Sequence, residues 1–157
     1  ESARSGFGEQ AVFSFNQPIA LQAFVVDTYL HRLNAPLSCH LFGLAPEHDL
    51  TDSMQSIPQW SVQLENGQRV VPDDFQAYMQ GRHYAEINES WPDALIIRLD
   101  QSQSTHWQPL LPFQALKPDT YHHFDAFETT GWFQHLLFLH YPNGGIHGLK
   151  AFGDYQS

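Results

Sequence analysis

The run from Phe133 to Gly153, FQHLLFLHYPNGGIHGLKAFG, constrains this chain more than any other stretch. Phe133, His135, Leu137 and Leu139 alternate with Gln134, Leu136, Phe138 and His140, so a strand there is largely apolar on both faces. Pro142 removes a ladder donor and stops that strand. Asn143-Gly144-Gly145 tolerates the positive φ of a tight reversal, and Ile146 to Phe152 resumes an extended run. The segment reads as a hairpin at the heart of an antiparallel sheet.

The rest of the chain repeats the same vocabulary. Ala11 to Phe15 and Leu21 to Val26 read as strands divided by the turn Asn16-Gln17-Pro18, and Leu37 to Leu44 as a third strand. From Ala45 to Pro58 the composition turns polar and Pro-bearing, as in a loop. Asn66-Gly67 lies between alternating runs within Trp60 to Val71, a strong hairpin signal. Pro72-Asp73-Asp74 is expected to open a short helix through Met79, with Gly81 as its stop. Ala94 to Leu99 reads as a strand, and Trp107 to Pro112, twice interrupted by proline, as an edge or loop segment. Many short strands with Pro/Gly turns predict an all-β sandwich. There is no internal repeat.

Composition narrows the class of protein. At 157 residues the chain suits one domain, spanning 1–157, that buries about 70% of its unfolded surface. Hydrophobic residues make up 42% and aromatics 14%, enough for a packed core. The formal net charge of -10 argues against nucleic acid or anionic membrane as partners, since both call for a basic surface. The one cysteine, Cys39, excludes an internal disulfide and a thiolate zinc site, and reads as a buried thiol in a cytoplasmic protein. No apolar run approaches the ~20 residues of a membrane span, and no secretory leader is visible. Glu1-Ser2-Ala3-Arg4 opens abruptly, as though an upstream region had been trimmed.

Four segments, in order, resemble one repeat of the allantoicase family. Ile19 to Pro36, IALQAFVVDTYLHRLNAP, is similar to the family's strand ending in Asp-Thr followed by Asn and Pro, here Asp27, Thr28, Asn34 and Pro36. WQPLLPFQALKP, from Trp107 to Pro118, resembles its Trp-x-x-Leu-Leu-Pro element, and YPNGGIHGLKAFG its Tyr-Pro-Asp-Gly-Gly-Ile hairpin and closing Gly. Glu1-Ser2-Ala3-Arg4 is similar to the tail of the segment before the first strand. Differences are also plain: Leu33 stands where the family has Gly, His147 and Lys150 where it has Arg in the last strand, and one repeat stands where it has two. The stretch from about 45 to 105 exceeds what a repeat needs and is expected to be an insertion carrying the hairpin and short helix.

The resemblance implies a jelly-roll β-sandwich of the galactose-binding-domain type, and hydrolysis of allantoate to ureidoglycolate and urea. That reaction needs a cation for the substrate carboxylate, an acid for the departing nitrogen and hydrogen bonds to the ureido groups. Asp27 and His31 are the expected acid/base pair; Arg32, Thr28, Asn34, His122 and Lys150 are the expected substrate ligands. No cofactor is expected. His122-His123 with Asp125 is the best local cluster for a divalent metal, but no HExxH or CxxC grouping accompanies it. A one-repeat protein is also expected to self-associate if its site draws on two repeats. The alternative reading is a non-catalytic module that recognises a sugar or other small ligand through its end loops, with Trp60, Trp91, Tyr84 and Tyr29 as stacking candidates.

Overall fold

The alternating segments pair as ten antiparallel strands among the residues described by the computed structural model, which are 2–4, 9–31, 36, 38–64, 67, 69–70, 95–141 and 145–156. In chain order these are β1 (Ser2–Arg4), β2 (Glu9–Asp27), β3 (Ser38–Leu44), a four-residue helix α1 (Leu50–Ser53), β4 (Gln59–Leu64), β5 (Arg69–Val70), β6 (Leu95–Asp100), β7 (Trp107–Ala115), β8 (Tyr121–Phe124), β9 (Phe133–Tyr141) and β10 (Gly148–Tyr155). The short helix expected from Pro72 lies outside the described residues. Gly67, of the expected Asn-Gly turn, has φ 90°, a value that glycine adopts without strain.

Strand β2 corrects the first expectation. The sequence places a turn at Asn16-Gln17-Pro18, yet residues 9–27 form one strand of 19 residues. The turn signal marks a real event all the same: the ladder with β9 runs from Glu9 to Ser14, breaks, and recovers only at Ile19 opposite Phe133. Beyond the break β2 pairs instead with β10, from Ile19 to Asp27, and with β8, from Phe24 to Asp27. Pro18 has no N–H to give, so it costs little where the ladder is already interrupted. One strand therefore serves two layers: β1, the first half of β2, β9, β3 and β7 in one, and β10, the second half of β2 and β8 in the other. The rings of Phe13 and Phe24, on the two halves of the same strand, meet edge-to-face at 6.0 Å.

Between the layers lies a core of Phe24, Val26, Cys39, Leu41, Leu110, Leu136 and Phe138, all fully buried. Burial raises the Cys39 thiol well above its ordinary pKa, so it packs as a small hydrophobe. The opposite face of β9 and β3 is buried too. Leu137, Leu139, Tyr141, Phe42 and Leu44 pack against Ile57 and Trp60, with Leu50, Met54 and Leu99 alongside. The small sheet β5-β4-β6 with α1 thus forms a third layer, and this covering explains why β9 is apolar on both faces. Residues 45–58, expected to be a loop, contain α1, whose Asp49 cap accepts from the Asp52 N–H at 2.9 Å, followed by a 3-10 turn at Met54–Ser56. Trp107 ties this layer to the sandwich by donating its Nε1–H to the Ser53 carbonyl at 2.8 Å.

Two further expectations have different outcomes. The Pro-bearing segment at Trp107 is strand β7, at the edge of its sheet beside β3, where a missing donor is tolerated. The expected hairpin of β9 with β10 is not formed among the described residues: β9 pairs with β2 and β3, whereas β10 pairs with β2 on its other half. Strand β9 thus ends in one layer at Tyr141 and β10 begins in the other at Gly148. Pro142, Asn143 and Gly144 lie outside the described residues. Together these features make an all-β sandwich of jelly-roll type, and no helix among the described residues is long and apolar enough to cross a membrane.

Candidate functional site at one rim of the sandwich

The end of β2, the start of β8 and the start of β10 meet at one rim, because Asp27 pairs with both Tyr121 and Gly148. From this point the chain turns through Thr28 to His31. The Asp27 Oδ1 accepts from the Tyr29 N–H at 2.9 Å, and the Asp27 carbonyl from the His147 N–H at 2.7 Å. Thr28 is fully buried; its hydroxyl donates to the Lys117 carbonyl at 2.7 Å and accepts from the Thr120 N–H at 3.0 Å. Leu30, at φ 68°, donates its N–H to the Asp119 Oδ1 at 2.9 Å, and the Asp119 N–H reaches the His31 carbonyl at 3.2 Å. Two turns, 28–31 and 117–120, clamp each other through these bonds. The His31 ring rests directly on Gly145, where an added Cβ would overlap the imidazole. Tyr29 stands edge-on to the His147 ring at 5.4 Å.

Asp27, Thr28 and His31 therefore share this rim with His147, which sequence reasoning noted only as a difference from the family. Arg32 and Asn34 lie outside the described residues. Lys150 is on the rim's outer flank with its Nζ 5.9 Å from the centre of the Tyr121 ring. His122 is turned the other way, toward Phe124: its Nδ1–H donates to the Val26 carbonyl at 3.0 Å and its Nε2 accepts from the Lys117 N–H at 2.9 Å. Both of its ring nitrogens are thus spent on backbone. The expected substrate ligands thus fall on different sides of one layer. Among the described residues, no group of three or more His, Cys, Asp or Glu is placed to hold a metal ion.

Beside the rim a cleft of about 610 Å³ separates the first layer from residues 146–149. Glu9, Phe13, Phe138, His140, Ile146 and Leu149 line it. The β2–β9 register sets Glu9 opposite His140, with the Glu9 Oε2 3.5 Å from the His140 Nε2. His140 is almost buried and lies against the Phe138 ring at 5.6 Å. Sequence reasoning missed this pair. His140 is visible as the end of an apolar strand, but only the long-range register brings a carboxylate from residue 9 to it. Ile146 and Gly148 wall the cleft while their neighbours Gly145 and His147 support His31 and Tyr29, so rim and cleft share one segment.

Comparison with known proteins adds to this geometry. The family model for the allantoicase repeat matches residues 84–156. A probable allantoicase of Photobacterium profundum is 37% identical over 54 residues, which is 34% of this chain and 16% of that protein. A solved structure of allantoicase superposes with a TM-score of 0.52 at 14% identity, over 98% of this chain and 30% of that one. This chain therefore spans less than a third of either protein's length. Sequence motifs, matched repeat and sandwich agree: residues 84–156 are similar to an allantoicase repeat, and the fold is that of the solved allantoicase.

Proposed function

We propose that the protein is a hydrolase of ureide catabolism that releases urea from allantoate or a related ureide at the rim built by β2, β8 and β10. The observation that carries this reading is the rim itself: the family-like Asp27-Thr28 pair is held by two interlocked turns and joined there by His31 and His147. Asp27 and His31 act as the acid/base pair, one taking a proton from the attacking water and the other giving one to the departing urea nitrogen. Arg32, Asn34 and Lys150 hold the substrate's carboxylate and ureido groups, and His122 and Thr28 fix the walls. The whole chain acts as a single galactose-binding-like domain with an insertion at 45–105, in the cytoplasm, and pairs with a second copy where the site draws on two repeats.

Urea release from allantoate is the test. Loss of one acid/base group is expected to lower turnover about 10²–10⁴-fold, so Asp27→Ala and His31→Ala should each do so, with Arg32→Ala chiefly raising KM. A well-folded wild type that releases no urea would overturn the reading.

One observation favours the second reading, a non-catalytic module for a sugar or small polar ligand. Tyr29 and Tyr121 are 53% and 55% exposed at the rim and offer ring faces for stacking, while the Asp27 Oδ1 and the His122 nitrogens serve the backbone. Saturable sugar binding without urea release, weakened by Tyr29→Ala, would select it.

A further inference from the structure

The Glu9–His140 cleft is separate from the residues assigned above, and its chemistry is one-sided. Its volume of about 610 Å³ falls in the range of small-molecule sites. Phe13, Phe138, Ile146 and Leu149 give it apolar walls; its charged chemistry is one carboxylate and one imidazole, and among the described residues no lysine or arginine lines it. A carboxylate beside apolar walls is costly to leave dry, and the ligand best able to offset that cost presents N–H donors from a flat head. Carboxylates and phosphates would meet Glu9 with no lining cation to receive them.

We propose that this cleft binds the planar, N–H-donating head of a small ligand, of urea or guanidinium type, with Glu9 accepting the N–H bonds and His140 closing the seat. Glu9 is suited to this: it is 30% exposed, so it can turn from His140 toward a ligand, whereas His140 is fixed against Phe138. Gly148 is a wall of the cleft and the ladder partner of Asp27, so a ligand seated here extends toward the rim. The inference deepens the ureide reading by seating the ureido end, and it rests on that reading only for this link to the rim.

The test is a titration of the full-length protein with methylurea and methylguanidinium, followed by the His140 imidazole resonances in NMR, with acetate as the control. Affinities for ligands of so few atoms are expected in the ~1–100 mM range. Either N–H donor should give a saturable shift and acetate none. Glu9→Gln should weaken binding about tenfold or more, because a charge-assisted bond becomes a neutral one. Ile146→Phe, which narrows the cleft without touching Glu9 or His140, should do likewise. An equal response to acetate, the absence of a saturable shift, or full binding by folded Glu9→Gln overturns the proposal. Urea release distinguishes the two ideas: probe binding in a wild type that releases no urea ends the hydrolase reading alone, and undiminished release by Glu9→Gln removes the cleft from that reaction alone.

Discussion

At the rim, the buried Thr28 hydroxyl bonds the Lys117 carbonyl and the Thr120 N–H, whereas beneath the 45–105 segment the His40 Nδ1 and the Trp60 Nε1 are buried with no hydrogen-bond partner among the described residues. The His40 and Trp60 rings are 5.4 Å apart, and the Trp60 ring lies 5.2 Å from Tyr141. Thr28's polarity builds structure, since without it two turns lose their common anchor. The polarity of His40 and Trp60 does not: both are held by the apolar area of their rings, and their polar atoms weaken the layer they occupy. Burial and polarity together are therefore not a signature of function or of stability. What decides is whether the polar atom has something to bind.

The largest expected effect breaks this comparison with pH. Burial lowers His40 from 6.5 to about 4. Between those values the unfolded chain holds a proton that the folded chain lacks, so the stability from neutral His40 is complete above about pH 6.5 and falls as pH drops toward 4. That loss is up to about 3 kcal/mol by linkage. Denaturant melts from about pH 7.5 to 4 should show it in the wild type, and His40→Leu should flatten that part of the profile. Equal pH slopes in the two proteins would remove the argument.

A smaller effect is expected at the rim. Thr28→Val keeps the shape but strands the Thr120 N–H and the Lys117 carbonyl, at a cost of about 1–3 kcal/mol. Hydrogen exchange should localise the change to turns 28–31 and 117–120, leaving β3 and β9 protected. Uniform loss of protection would mean that the two turns are not a separate unit. The smallest effect belongs to Trp60→Phe. Losing ring volume there is partly offset by losing an unpartnered N–H, so the net change in a denaturant melt is expected to be under about 1.5 kcal/mol. The same replacement at Trp107, whose N–H reaches the Ser53 carbonyl, should cost more.

Much of the fold was readable in the residues. Extended apolar runs located β3, β6 and β9, and the apolar character of both faces of β9 marked it as the heart of an antiparallel sheet. The rim was legible in part, since Asp27, Thr28 and His31 are close in sequence and needed only a turn to stand together. The Glu9–His140 pair was not, because it joins strands 131 positions apart.

By itself the sequence determined local matters: extended segments, the place of Asn-Gly and Pro interruptions, a buried Cys39 and the family resemblance carried by Asp27-Thr28 and the C-terminal run. These depend on near neighbours along the chain, and side-chain periodicity or backbone propensity reports them directly. Only the tertiary structure decided that β2 is one strand shared by two layers, that β9 and β10 part instead of pairing, and that Glu9 faces His140. A turn signal states that the chain is interrupted, not which layer it enters next. That choice is made by the apolar area each layer buries, a quantity belonging to the assembled sandwich and to no single segment.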